Sequence, residues 1–153
     1  MNADELSRAV YSGFANIARP QHFTDYAHCE ECAEYDRQLQ SVEGRALSAS
    51  DIGTVAWGPI PFLTPQAMAY YLPRLIELAL NGARNKENDP FVCQFLNQVA
   101  RYGKGAKQFS CLSAEHKLLM LRSLEYISAA YLPEIEAQFY GDMLQEALHG
   151  WRA

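Results

Sequence analysis

The sequence predicts an all-α, single compact domain spanning residues 1-153, with six to seven helices and a proline-rich irregular strap at residues 54-64. Three observations predict it. Apolar residues recur at spacings of three and four over most of the chain, the period of a helix with one buried face. Capping residues and prolines open these stretches, and glycines close them. No segment shows the strict alternation that a half-buried strand requires. With 153 residues, 49% apolar and 20% charged, the chain is long enough for one core and too apolar for disorder.

Leu6, Val10, Phe14 and Ile17 predict a first amphipathic helix over residues 4 to 18, ended by Pro20. Residues 21 to 28 carry no apolar period. Cys29, Cys32, Tyr35 and Leu39 then share one side of a second helix, residues 29 to 40. Residues 41 to 50, with Gly44, read as a loop in which Ser48 or Ser50 caps a short turn into Gly53. The strap "VAWGPIPFLTP" holds three prolines and a glycine, which deny it helical hydrogen bonds. Its Trp57, Ile60, Phe62 and Leu63 are too apolar for water, so the strap is expected to lie across the helices with Trp57 and Phe62 buried.

Thr64-Pro65 is a start signal, a capping hydroxyl followed by proline at the first helical position. That helix should run to Leu80, kink at Pro73 and stop at Asn81-Gly82. Asp89-Pro90 repeats the signal ahead of a stripe of Val92, Phe95, Leu96 and Val99 that reaches Arg101, before Gly103 and Gly105. Ser113 caps the next helix, with Leu118, Leu121, Leu124, Ile127 and Tyr131 as its expected buried face. Pro133 should kink that helix or begin another bearing Ile135, Phe139, Met143 and Ala147.

The net charge of −5 and a pI near 5.3 argue against general affinity for nucleic acid or anionic membrane. No run approaches the roughly 18 apolar residues of a membrane span. Acids stand near Met1 where a signal peptide carries basic residues, so a cytoplasmic location with reduced cysteines is expected. Cys93 and Cys111 stand apart from other ligands and read as small core or half-buried residues.

The chemically densest stretch is "HFTDYAHCEECAE", residues 22 to 34. Three readings compete for it. In the first, zinc is held by His22, Cys29 and Cys32, since C-x2-C is half of a common tetrahedral site, with His28, Cys111 or His116 as a fourth ligand. No second C-x2-C and no H-x3-5-H completes that motif. In the second, the cysteines form a redox dithiol at a helix start, but Glu30 and Glu31 oppose a thiolate and a β-α-β setting is missing. In the third, both cysteines face the core while Glu30, Glu31 and Glu34 stay wet; the residues alone favour this one.

Other stretches carry less. "RYGKGAKQ" gathers Arg101, Lys104 and Lys107 around two glycines without the phosphate-loop spacing, and reads as a solvated loop. "FLTPQAMAYYLPRL" places Met68, Tyr71, Leu72 and Leu75 on one face with Tyr70 and Arg74 off it, suited to core or to a recognition surface. No nucleophile elbow, zinc-protease motif or Glu-x-x-His carboxylate pattern points to catalysis.

"HFTDYAHCEECAEYD" and "GPIPFLTPQAMAYYLPRLIELAL" together resemble a family of small bacterial proteins of unknown function, over about residues 4 to 130. That family carries an H-C-x-E-C-like segment, a tryptophan-glycine-proline stretch and F-L-T-P-x-A-x-x-Y-Y-L-P. The resemblance implies a bacterial source and a helical fold, and it strengthens the metal reading of the cysteine pair. It implies no activity and no catalytic residues.

The function expected from the sequence is a non-catalytic protein-binding module, an immunity- or antitoxin-like partner of a basic toxin. Its acidic patch would be Glu30, Glu31, Glu34 and Asp36. The alternative is a zinc-stabilised or metal-dependent protein using His22, Cys29 and Cys32. A third is a small-molecule enzyme with a pocket between the Pro73 helix and the strap.

Overall fold

In the computed structural model, which describes residues 1–103 and 105–153, six α-helices bury their apolar stripes around one core. They are α1 (Ala3–Gly13), α2 (Glu30–Gln40), α3 (Pro65–Leu80), α4 (Phe91–Tyr102), α5 (Ala114–Ala137) and α6 (Gly141–Arg152). Among the described residues there is no strand beyond two isolated bridges, Thr24 with Leu63 and Arg84 with Pro90. No helix in this set is long and apolar enough to cross a membrane.

α3 is the central element. Its buried side chains lie all round it, from Ala67 to Leu80, because it packs against α1, α4 and α5. The Thr64 hydroxyl accepts from the Ala67 N–H at 3.1 Å, and Pro65 fills the first helical position, as the sequence predicts. The helix runs unbroken through Pro73. It stops at Asn81, where Gly82 takes φ +68°, a left-handed conformation that suits glycine. Tyr70 and Arg74 are not a free recognition surface: the Gly44 N–H donates to the Tyr70 hydroxyl, and Arg74 Nε donates to the Leu47 carbonyl. Tyr71 Oη donates to the Leu39 and Val42 carbonyls, so α3 holds the loop that follows α2.

α1 ends earlier than residue 18. His116 of α5 explains the stop: its Nε2 donates to the carbonyl of Gly13 at 2.9 Å, taking an orphan acceptor of the last turn. The same ring stacks on Phe14, and its Nδ1 accepts from the Ser113 N–H, completing the Ser113 capping box of α5. Both nitrogens of His116 are therefore committed to structure.

α4 starts one residue later than its signal, with Pro90 and not Asp89 at the cap. Val92, Phe95, Leu96 and Val99 are buried as expected. Lys104 of the expected "RYGKGAKQ" loop lies outside the described residues; Lys107 is exposed in a short 3-10 turn, Lys107–Phe109. α5 runs through Pro133 to Ala137, and the break comes at Phe139, whose φ is +63°. Phe139, expected on an apolar face, is 95% exposed in that turn, while Met143 and Ala147 belong to α6. Leu124 and Ile127 of α5 are buried as expected, but Leu118 is exposed, because the buried side continues through Leu119 and Met120.

The strap is irregular apart from a 3-10 turn, Ile60–Phe62, and it buries Ile60 and Leu63. Trp57 is 73% exposed, against expectation, and Phe62 is only half-buried. Backbone packs on backbone beneath the indole: a Cβ at Gly58 would lie 2.1 Å from the Ile52 carbonyl, and one at Gly53 2.2 Å from the Trp57 carbonyl. The Thr54 N–H donates to the Trp57 carbonyl at 3.1 Å, closing a turn that aims Trp57 outward.

Candidate functional site

The segment of residues 22 to 28 has no regular structure of its own. It is ordered by α2, and Asp36 is what orders it. Asp36 is 3% exposed, the opposite of the wet acidic position expected for partner binding. Its Oδ1 accepts from the Phe23 N–H at 2.6 Å and the Thr24 N–H at 3.4 Å. Its Oδ2 accepts from His22 Nδ1 at 2.7 Å and Gln40 Nε2 at 2.8 Å. Burial alone would raise the Asp36 carboxyl, but the bonds from His22, Phe23 and Thr24 outweigh it and hold the group below its ordinary value.

This anchoring pulls Phe23 into the core and lets Thr24 Oγ1 donate to the Cys32 carbonyl at 2.6 Å. Phe23 also accepts the Thr64 N–H through its carbonyl, tying the segment to the end of the strap. The chain then turns so that Cys29 becomes the N-cap of α2, a place usually taken by Ser, Thr, Asp or Asn. Cys29 Sγ accepts from the Cys32 N–H at 3.4 Å, as a capping oxygen would.

The corner that results is compact. The Cys29 and Cys32 sulfurs lie 3.3 Å apart, and His28 Nδ1 is 3.9 Å from the Cys32 sulfur. Donor atoms of His28, Cys29 and Cys32 all lie within 4.8 Å of one another, with His28 and Cys29 exposed and Cys32 buried. His22, expected as a ligand, is not in the group: its Nδ1 is taken by Asp36 and its ring stacks on Tyr26 at 3.9 Å. His28, named in sequence only as a fourth candidate, takes its place. Cys111 is exposed elsewhere, not half-buried, and Cys93 is buried in α4.

The two thiols differ. The Cys32 N–H, then His28, then the Cys32 thiol itself stabilise a Cys29 thiolate and bring its pKa down to about 7. Burial first, and then the neighbouring Cys29 sulfur, push Cys32 up to about 11. His28 is raised in turn, chiefly through its hydrogen bond with Cys29. Glu30, Glu31 and Glu34 are exposed along the outer side of α2, as read from the sequence.

A second feature adjoins α2. Tyr35 and Gln38 of α2, Thr54 and Trp57 of the strap, and Lys86 and Glu87 line a groove of about 440 Å³. This groove lies between the strap and α2, away from Pro73. Tyr35 meets Phe62 at 5.4 Å between ring centroids, which explains why both rings are only half-buried.

Comparison with protein-family models, curated proteins and solved structures finds no match to this chain.

Two residues of this site have other places in the sequence reading, Asp36 in the wet acidic patch and His28 behind His22 as a fourth ligand. The burial of Asp36 had a signal, since it sits four residues after Cys32 and three before Leu39, on the buried face of α2. His28 had none beyond adjacency to the capping cysteine.

Proposed function

We propose that His28, Cys29 and Cys32 hold a zinc-class ion that pins the 22–28 segment to the start of α2. One observation carries this reading: three donor atoms of borderline-soft character already lie within 4.8 Å of one another. In a tetrahedral zinc site, bond lengths of about 2.3 Å to sulfur and 2.0 Å to nitrogen place ligand atoms about 3.6 to 3.8 Å apart. The sulfur–sulfur distance of 3.3 Å and sulfur–nitrogen distance of 3.9 Å are each within about half an ångström of those edges. Three protein donors leave a fourth corner for water or for a donor from a partner. Elemental analysis of purified chain tests the reading, with an expected content near one zinc per chain. Cys29→Ser and Cys32→Ser should abolish uptake, His28→Ala should weaken it and His22→Ala should retain it. Absence of zinc after loading, or equal uptake by Cys29→Ser, sinks the reading.

A second reading, a protein-binding module of the immunity or antitoxin kind, is favoured by Trp57, a 73% exposed indole beside the exposed Val55. Glu30, Glu31 and Glu34 would steer a basic partner, with Asp36 excluded by its burial. Trp57→Ala should then lose partner capture at an unchanged melting midpoint; capture that survives both this change and reversal of the three glutamates excludes the surface.

A further inference from the structure

We propose that Cys29 and Cys32 form a working dithiol that exchanges with low-molecular-weight disulfides, Cys29 making the first attack and Cys32 resolving it. The inference goes beyond the metal reading and does not need it, because the metal-free chain is the reactant. Three observations carry it.

The first is distance. Sulfurs 3.3 Å apart need to close by only about 1.3 Å to reach the disulfide length near 2.05 Å. The closing movement is a turn of the Cys29 side chain, which stands at the cap outside the helix on an extended backbone of φ −163° and ψ 171°. The second is unequal access. Cys29 is exposed, whereas Cys32 is 4% exposed beneath it, so an external disulfide reaches one sulfur and not the other. The third is the Cys32 N–H, which donates to Cys29 Sγ and holds the outer sulfur beside the buried one.

The exchange balances without another reactant. Cys29 sulfur attacks one sulfur of R–S–S–R, forming a Cys29–S–S–R bond and releasing one R–S group that takes the Cys29 proton. Cys32 sulfur then attacks Cys29 Sγ, closing the Cys29–Cys32 bond and releasing the second R–S group with the Cys32 proton. Two protein thiols are oxidised by two electrons and one small disulfide is reduced to two thiols. A metal ion and this disulfide are mutually exclusive, since each claims the same sulfurs.

The test uses the full chain, reduced and freed of metal with a chelator, incubated with oxidised glutathione and analysed by intact mass and peptide mapping. The expected product is the Cys29–Cys32 disulfide with no lasting glutathione on either residue. Cys32→Ser should trap glutathione on Cys29 faster than on the lone exposed Cys111, and Cys29→Ser should leave Cys32 unmodified. Should the buried Cys32→Ser variant fail to fold, disulfide closure in the unmodified chain remains the readout. Reduced Cys29 and Cys32 at equilibrium, adducts confined to Cys111, or a lasting adduct on Cys29 of the unmodified chain would each overturn the proposal. Zinc uptake without disulfide closure refutes this inference and leaves the metal reading standing; closure without zinc uptake does the reverse.

Discussion

Asp36→Ala should be among the most damaging single changes in the chain. The carboxylate is buried and serves four donors, but they do not count equally. His22 and Gln40 are exposed and would be rehydrated once Asp36 is gone. The Thr24 bond is long at 3.4 Å. The Phe23 N–H, bonded at 2.6 Å within the core, would be left without an acceptor, a loss of about 2 to 3 kcal/mol for a charge-assisted bond. Adding a small cavity term gives about 3 kcal/mol, and a fall in melting temperature of roughly 10 °C for a chain of this length.

The pH dependence has a definite sign. Asp36 is held below its ordinary value, so its contribution is complete above the unfolded carboxyl pKa of about 3.9. It is lost as pH falls through the lower folded value. Thermal melts of Asp36→Ala against the unmodified chain should therefore differ most near neutrality and draw together in acid. A neutral-pH difference below about 1 kcal/mol, or one that stays constant down to acid, would refute the anchoring argument.

Trp57→Ala should leave stability within about 0.5 kcal/mol, because the indole is mostly in water, while Leu63→Ala should cost about 2 to 4 kcal/mol; paired thermal melts decide this. Thr64→Ala should cost about 1 kcal/mol by urea titration through loss of the Ala67 cap, with the m-value unchanged. In the metal-free chain, alkylation of Cys29 should rise with pH through a midpoint near 7 as its thiolate forms. Cys32, buried and pushed up to about 11, should stay unreactive across neutrality, and equal rates at both sulfurs would contradict the asymmetry.

What the sequence determined by itself is the local chemistry of each helix. Thr64 and Ser113 cap where they were expected to, and Asn81-Gly82 stops α3. Ser48 closes the expected turn, its hydroxyl accepting from the Asp51 N–H. Such signals are legible because capping and proline geometry act over three or four neighbouring residues, and apolar periodicity marks a face without knowing what will cover it. The α2 start belongs here too, since C-x2-C spacing already brings the two cysteines onto one turn.

Tertiary structure decided which partner each face meets. Trp57 is exposed because Gly53 and Gly58 let backbone pack on backbone beneath it, which apolarity alone cannot reveal. Leu118 is exposed because the α5 face that meets the core is set by α1, α3 and α6 together. His22 and His28 are equivalent in composition, yet Asp36 claims the first and leaves the second beside the sulfurs. That choice turns on a buried carboxylate whose donors, Phe23 and Thr24, stand more than ten residues away along the chain. Only the folded backbone brings them within hydrogen-bond reach.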